Sequence, residues 1–180
     1  MIDLKEKKLS SKKIFKGNLL DVRKDKVLLP NNKHSYREWV KHPGAACCIP
    51  ILDNEIILVE QYRYAVKEVT IELPAGKIDE GESPQACAYR ELKEETGYKS
   101  RNLTFLTTIY PAIGFSDEKM WIYLAQDLVK KKSNPDIDEF VKVIKMNHKT
   151  ALKMVENGDI SDSKTIIGIL WLNKYLNKKI

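Results

Sequence analysis

Glu91, Glu94 and Glu95 put three carboxylates into five consecutive residues, and Glu82 and Arg90 stand just ahead of them. At about 100° per residue the three fall within roughly a third of a helix circumference, beside an apolar stripe of Ala88, Tyr89 and Leu92. Like charges three and four residues apart repel by roughly a few tenths of a kcal/mol per pair, so the arrangement asks for a compensating cation. Arg90 sits one turn before Glu94 and offsets only part of the charge. Hard oxygen ligands without a His or Cys cluster favour Mg2+, with Mn2+ as a substitute, over zinc. The expected partner of such an ion is a phosphate group.

A loop followed by a helix must position these groups. Ser83 reads as an N-cap, Pro84 suits the first turn where its missing N–H costs nothing, and Gly97 suits the left-handed residue that ends a helix. The spacing predicts a helix over 84–96. Ahead of it, Ala45–Leu52 and Glu55–Tyr62 read as two strands joined at Asp53-Asn54, and Val69–Pro74 as a strand leading into the acidic loop. Leu103–Tyr110, Met120–Ala125 and Phe140–Met146 add three strands. Helices are expected over about 149–157 and 164–177, the second with Ile166, Ile167, Leu170, Trp171 and Tyr175 near one face. From Lys13 to Val40, short apolar pieces broken at Gly17-Asn18 and Pro30-Asn31-Asn32 suggest antiparallel strands too few to bury themselves alone.

The chain has 180 residues, 43% hydrophobic and 31% charged, which is ordinary globular composition with enough length for one substantial core. Its formal charge of +6 is spread over scattered lysines. No basic run is interleaved with aromatics as a single-strand platform would be, so a nucleic-acid partner is not expected. Three cysteines are too few for a disulfide framework, and Cys47 and Cys48 lie in an apolar run that reads as core. Residues 1–13 lack an apolar signal-peptide core, and no apolar run approaches the roughly 18 residues of a membrane helix. A cytoplasmic protein without a membrane partner is expected. His34, His42 and His148 are far apart and read as structural or solvated, with no Ser-His-Asp or Cys-His arrangement.

Gly76, Glu82, Arg90, Glu91, Leu92, Glu94, Glu95 and Gly97 match every fixed position of the signature that marks the Nudix hydrolases, which this chain therefore resembles. The resemblance implies a Nudix-type α/β/α sandwich with a mixed sheet. Glu60-Gln61-Tyr62-Arg63, Ile71–Gly76, Gly114–Glu118 and Tyr36–Trp39 look like one branch of that family, the ADP-ribose pyrophosphatases. That branch usually carries Pro directly before the Gly of the later loop. Here Ile113 holds that position and Pro111 lies two residues earlier. Residues 1–42 would form a β extension in a dimer interface, and 43–180 the Nudix domain.

The activity implied is Mg-dependent hydrolysis of the diphosphate of ADP-ribose to AMP and ribose 5-phosphate by a homodimer. The alternatives are another nucleoside diphosphate sugar or a dinucleotide as substrate, or a Nudix-like module that binds nucleotide or RNA without turnover. By resemblance the metal ligands would be the backbone carbonyl of Ala75 and the carboxylates of Glu91 and Glu95, with Glu94 as a further or alternate ligand. A late loop would add Glu139, with Asp138 second. A water pKa lowered by the metal, together with charge neutralisation, explains the need for so many carboxylates, and Glu139 or Glu94 would accept the proton, with Arg90 in the catalytic box. Arg37 and Arg63 are candidates for phosphate or ribose because guanidinium offers paired donors to anionic oxygens. Glu72 and Glu118 are candidates for ribose hydroxyls, Ile113 and Gly114 for lining the substrate, and Trp39 equally for stacking on adenine or for the core.

Overall fold

The computed structural model describes residues 3–131 and 140–177. These fall into two units. One comprises the described residues up to Gly44 together with Tyr110–Lys119, and the other Ala45–Ile109 with the described residues from Met120 onward.

The first unit is a three-stranded antiparallel sheet of β1 (Lys7–Lys16), β2 (Asp21–Leu28) and β3 (His34–Lys41), in that order. The turns fall at the expected breaks, with Asn32 in the left-handed region at φ 63°. The loop Tyr110–Lys119 is tied to β3: Val40 N–H donates to Phe115 O at 2.7 Å, and His42 N–H donates to Asp117 Oδ1 at 2.7 Å. Every residue of β1 is exposed, whereas β2 buries Asp21, Asp25 and Val27 on alternate positions. Residues 1–44 and 110–119 hold 13 Lys and Arg against 7 Asp and Glu, so this unit carries the whole +6 of the chain.

The second unit is built on a seven-stranded mixed sheet. Its strands are β4 (Ala45–Leu52), β5 (Glu55–Arg63), β6 (Glu68–Glu72), β7 (Ala75–Lys77), β8 (Tyr98–Ile109), β9 (Met120–Lys130) and β10 (Val141–Asn147). The order is β10-β5-β4-β9-β8, with β6 on β5 and β7 on β4, and only β4 and β9 run parallel. Asp53 at φ 49° and Asn54 at φ 68° make the tight turn between β4 and β5, as two successive positive φ values suit a two-residue hairpin. β4 pairs with β5 only beside that turn, and its first half pairs instead with β7 and β9.

Alternation along β4 sorts its side chains to two faces. Ala45, Cys47 and Ile49 pack with Leu73, Ile160, Ile169 and Leu172 on the side of α2 (His148–Asn157) and α3 (Ser163–Asn177). Ala46 and Cys48 pack with Cys87, Ala88 and Leu92 of α1 (Pro84–Thr96). With both faces covered, β4 is apolar without interruption, which is why its sequence shows no alternation. This is the expected sandwich.

Two local expectations need correction. β8 starts at Tyr98, directly after the Gly97 cap, and not at Leu103, because the polar stretch Lys99–Asn102 pairs with the end of β9. The inner face of α3 is Thr165, Gly168, Ile169 and Leu172, not the face centred on Leu170, which is 48% exposed. A Cβ on Gly168 would lie 2.4 Å from Leu73 Cδ1, so the small residue is what lets α3 approach the strands. Reading only large apolar residues shifts the face away from such a contact.

Candidate active site

The helix α1 is capped as its sequence requires. Ser83 Oγ accepts from Ala86 N–H at 3.2 Å, and Gly97 at φ 70° donates its N–H to Lys93 O at 3.0 Å. These caps fix the rotation of α1 and so the direction of its carboxylates towards the short strand β7. Ala75 N–H donates to Glu95 Oε2 at 3.2 Å. Glu91 lies so close to Gly76 that a Cβ there would be 1.7 Å from Glu91 Oε1. Cys87 Sγ–H reaches Gly76 O and Lys77 O, both at 3.4 Å. Glu91 and Glu95 are 8% and 5% exposed, an unusual burial for acids.

Arg90 gathers the remaining acids. Its Nε and Nη2 donate to Glu82 Oε1 and Oε2 at 3.0 and 2.9 Å, a paired fork, and Nη2 also donates to Lys77 O at 2.9 Å. Its Nη1 donates to Glu91 Oε1 at 2.6 Å and Glu94 Oε2 at 3.2 Å. The Glu82 hydrogen bonds, followed by the charge of Glu91, push the Arg90 pKa far above its ordinary value. Glu82 in turn is held low by Arg90, and it accepts Asp79 N–H at 3.1 Å, closing the loop.

Three carboxylates on one guanidinium leave two negative charges in excess, before Glu95 is counted. That excess, made entirely of hard oxygen donors, fits a divalent ion of the Mg2+ class. Among the described residues no three His, Cys, Asp or Glu side chains are already drawn together as a ligand group, since Arg90 engages Glu82, Glu91 and Glu94 itself. Glu139 and Asp138 lie outside the described residues.

A second polar cluster gathers around Glu72 at the end of β6. Arg63 Nε and Nη2 donate to Glu72 Oε1 and Oε2 at 2.6 and 2.7 Å, and Thr70 Oγ1 donates to Glu72 Oε1 at 2.7 Å. Lys164 Nζ donates to Glu72 Oε2 and, at 3.0 Å, to Asp162 Oδ2. Burial alone would raise the Glu72 carboxyl, but the Arg63 hydrogen bonds and the Lys164 charge reverse that and bring it down to about 2. Burial likewise works against the charge of Lys164, yet Asp162 and Glu72 hold its pKa above the ordinary value. Lys164 escaped the sequence reading, although a cation in the first turn of a helix opposes the helix dipole and was a signal that something else holds it.

The other sequence candidates lie in the first unit. Arg37 donates through Nη1 to Ser35 Oγ at 3.1 Å and through Nη2 to Glu6 Oε1. Trp39 is half-buried on β3. In the loop, Ile113 is 80% exposed, Gly114 has open space beside it, and Glu118 N–H donates to Ser116 Oγ at 3.1 Å.

The family model of the NUDIX domain matches residues 23–165, which span the acidic loop, α1 and both polar clusters. The chain belongs to the Nudix family. It is 42% identical over 175 residues to an ADP-ribose pyrophosphatase of Bacillus subtilis (strain 168), covering 96% of this chain and 95% of that one. It is 41% identical to a methanol dehydrogenase activator of Bacillus methanolicus, covering 93% and 92%. A crystal structure of an ADP compounds hydrolase superposes with a TM-score of 0.88 at 25% identity, covering 97% of this chain and 96% of the other. These likenesses make the protein a Nudix hydrolase of the ADP-ribose pyrophosphatase branch. Nudix hydrolases generally use a divalent metal, in keeping with the acid excess around Arg90. No helix among the described residues is long and apolar enough to cross a membrane.

Proposed function

We propose that this Nudix hydrolase splits ADP-ribose into AMP and ribose 5-phosphate with Mg2+. The observation that carries this reading is the seating of the α1 carboxylates on Ala75 and Gly76, in a chain so similar to a named ADP-ribose pyrophosphatase. Ala75 through its carbonyl, and Glu91, Glu94, Glu95 and Glu139 through their carboxylates, would hold the metal. Bound there, Mg2+ supplies charge neutralisation for the diphosphate and a more acidic water. Glu94 or Glu139 would take up the proton of the attacking water. Glu82 fixes Arg90, and Arg90 keeps the acid-rich face of α1 charged and in register with β7. By resemblance, Arg63 and Arg37 would grip anionic oxygens of the substrate, and Ile113, Gly114 and Glu118 would belong to the loop that meets its sugar.

The exposed strand β1, with Leu9, Ile14 and Phe15 at 44%, 52% and 55% exposure, supports assignment of residues 1–42 to a homodimer interface. Three free cysteines support a reducing, cytoplasmic setting.

Incubating the purified protein with Mg2+ and ADP-ribose, ADP-glucose, GDP-mannose, NADH and diadenosine polyphosphate tests the proposal. Selective release of AMP from ADP-ribose is the expected result. Faster turnover of another member keeps the reaction and transfers the substrate, consistent with Ile113 in place of the usual Pro. Binding without any product would leave a nucleotide-binding module.

A further inference from the structure

Glu72 and Lys164 are 2% and 6% exposed, and each takes part in ion pairs with a second partner. Buried ion pairs are poor stabilisers, because desolvation consumes much of the attraction, and apolar residues of like size often serve stability better. A four-membered set of Arg63, Glu72, Lys164 and Asp162 therefore asks for a reason beyond stability. Its construction is directional. Asp162 Oδ2 accepts from Thr165 N–H at 3.0 Å, Thr165 Oγ1 at 2.6 Å and Lys164 Nζ at 3.0 Å, which fixes the first turn of α3. Thr165 Oγ1 accepts from Leu73 N–H at 2.8 Å, so that turn also grips the backbone next to Glu72.

At the other end the set becomes accessible. The side chain of Arg63 is 47% exposed while that of Glu72 is 3%. Glu72 takes Nε and Nη2, and among the described residues Nη1 of Arg63 has no hydrogen-bond partner. Glu95 is close enough for its charge to raise the Arg63 pKa, behind the larger effect of Glu72. The guanidinium, bonded to Glu72 three residues ahead of Ala75, thus has one edge anchored and the other open.

We infer that Lys164 and Glu72 are positioning residues for the reaction: Lys164 fixes Glu72 from the first turn of α3, and Glu72 holds Arg63 with Nη1 presented to the anionic oxygens of the diphosphate. This assigns Glu72 to the arginine, not to a ribose hydroxyl. The inference rests on the proposed diphosphate substrate, and binding without turnover separates the two. Lysine suits the anchoring end because a compact ammonium satisfies Glu72 and Asp162 together. Arginine suits the presenting end because its planar fork is aimed once two of its nitrogens are fixed.

The test is calorimetric titration with ADP-ribose in EDTA, where no divalent metal supports turnover, on wild type, K164M, R63K and K164M/R63K. K164M/D162N substitutes for K164M should the single variant not fold, since it removes one charge of each sign. Loss of a charge-assisted contact predicts about tenfold weaker binding for K164M and for R63K. The double variant binds no more weakly than R63K, because Lys164 acts only through Arg63, and K164R regains part of the loss. A folded K164M that binds as wild type does, or losses that multiply in the double variant, overturns the inference. Tight binding by wild type without AMP release under Mg2+ would overturn the proposed reaction alone, and absence of binding by wild type would overturn both.

Discussion

Gly76→Ala is the sharpest probe of the acidic site. The added Cβ would lie 1.7 Å from Glu91 Oε1, 2.1 Å from its Cδ and 2.7 Å from Oε2, distances that no packing tolerates. Glu91 has little room to yield: it is 8% exposed and its Oε1 accepts from Arg90 at 2.6 Å. Either β7 retreats from α1 or Glu91 swings away from Arg90. Overpacking of this kind costs about 1–3 kcal/mol, which in a chain of this size lowers Tm by roughly 2–12 °C. The catalytic effect should be larger than the thermal one, since displacement of a catalytic group by about 1 Å costs on the order of a hundredfold in rate. Gly81→Ala is the control. Gly81 sits at φ 78° with nothing within 4 Å, so alanine there carries backbone strain without a clash. Circular dichroism melts and AMP release from ADP-ribose would be compared for the two variants. If Gly76→Ala keeps wild-type turnover, or loses no more than Gly81→Ala, the placement of Glu91 against β7 has no part in catalysis.

Three further outcomes are expected. The Glu72 carboxyl, held at about 2 in the fold against an ordinary 4.5, contributes stability that is complete above about pH 4.5 and is lost as pH falls towards 2; the full amount is about 3 kcal/mol. Urea unfolding at pH 6 and pH 3 should show about 2 kcal/mol of that loss in wild type and much less of it in Glu72→Gln. Gly168→Ala gains up to about 1 kcal/mol of helix propensity but places a Cβ 2.4 Å from Leu73 Cδ1, and Leu73 is fully buried; the clash should prevail and Tm should fall. Chelation with EDTA should abolish AMP release without unfolding the chain, and Mg2+ should restore it; a chelator-resistant rate would remove the metal from the reaction.

The helix carrying the acids was legible to the residue, because Ser83, Pro84 and Gly97 act locally and the carboxylate spacing needs no partner to be seen. The mixed sheet was legible in outline from its apolar runs. What escaped depends on contacts made across the chain. β7 has three residues and exists only through pairing with β4. The inner face of α3 is defined by Thr165 and Gly168, whose value lies in being small or hydroxylated against Leu73 and is invisible to a count of large apolar side chains. Arg63, Glu72 and Lys164 were read one at a time or not at all, because 92 residues separate Glu72 from Lys164 and nothing in the spacing joins them.

All three cysteines are buried and free, and their surroundings make them chemically quiet. Burial pushes the thiols of Cys47 and Cys87 up to about 12, and that of Cys48 well above its ordinary value. Since the thiolate is the reactive form, electrophiles at neutral pH find almost none of it in the native chain. A cysteine placed at the exposed Ile113 would therefore be labelled selectively by a maleimide dye, with the native thiols left in place. The protein is in this sense already prepared as a fluorescent reporter, in which the proposed contact of the loop with the substrate would register in real time as a change in emission.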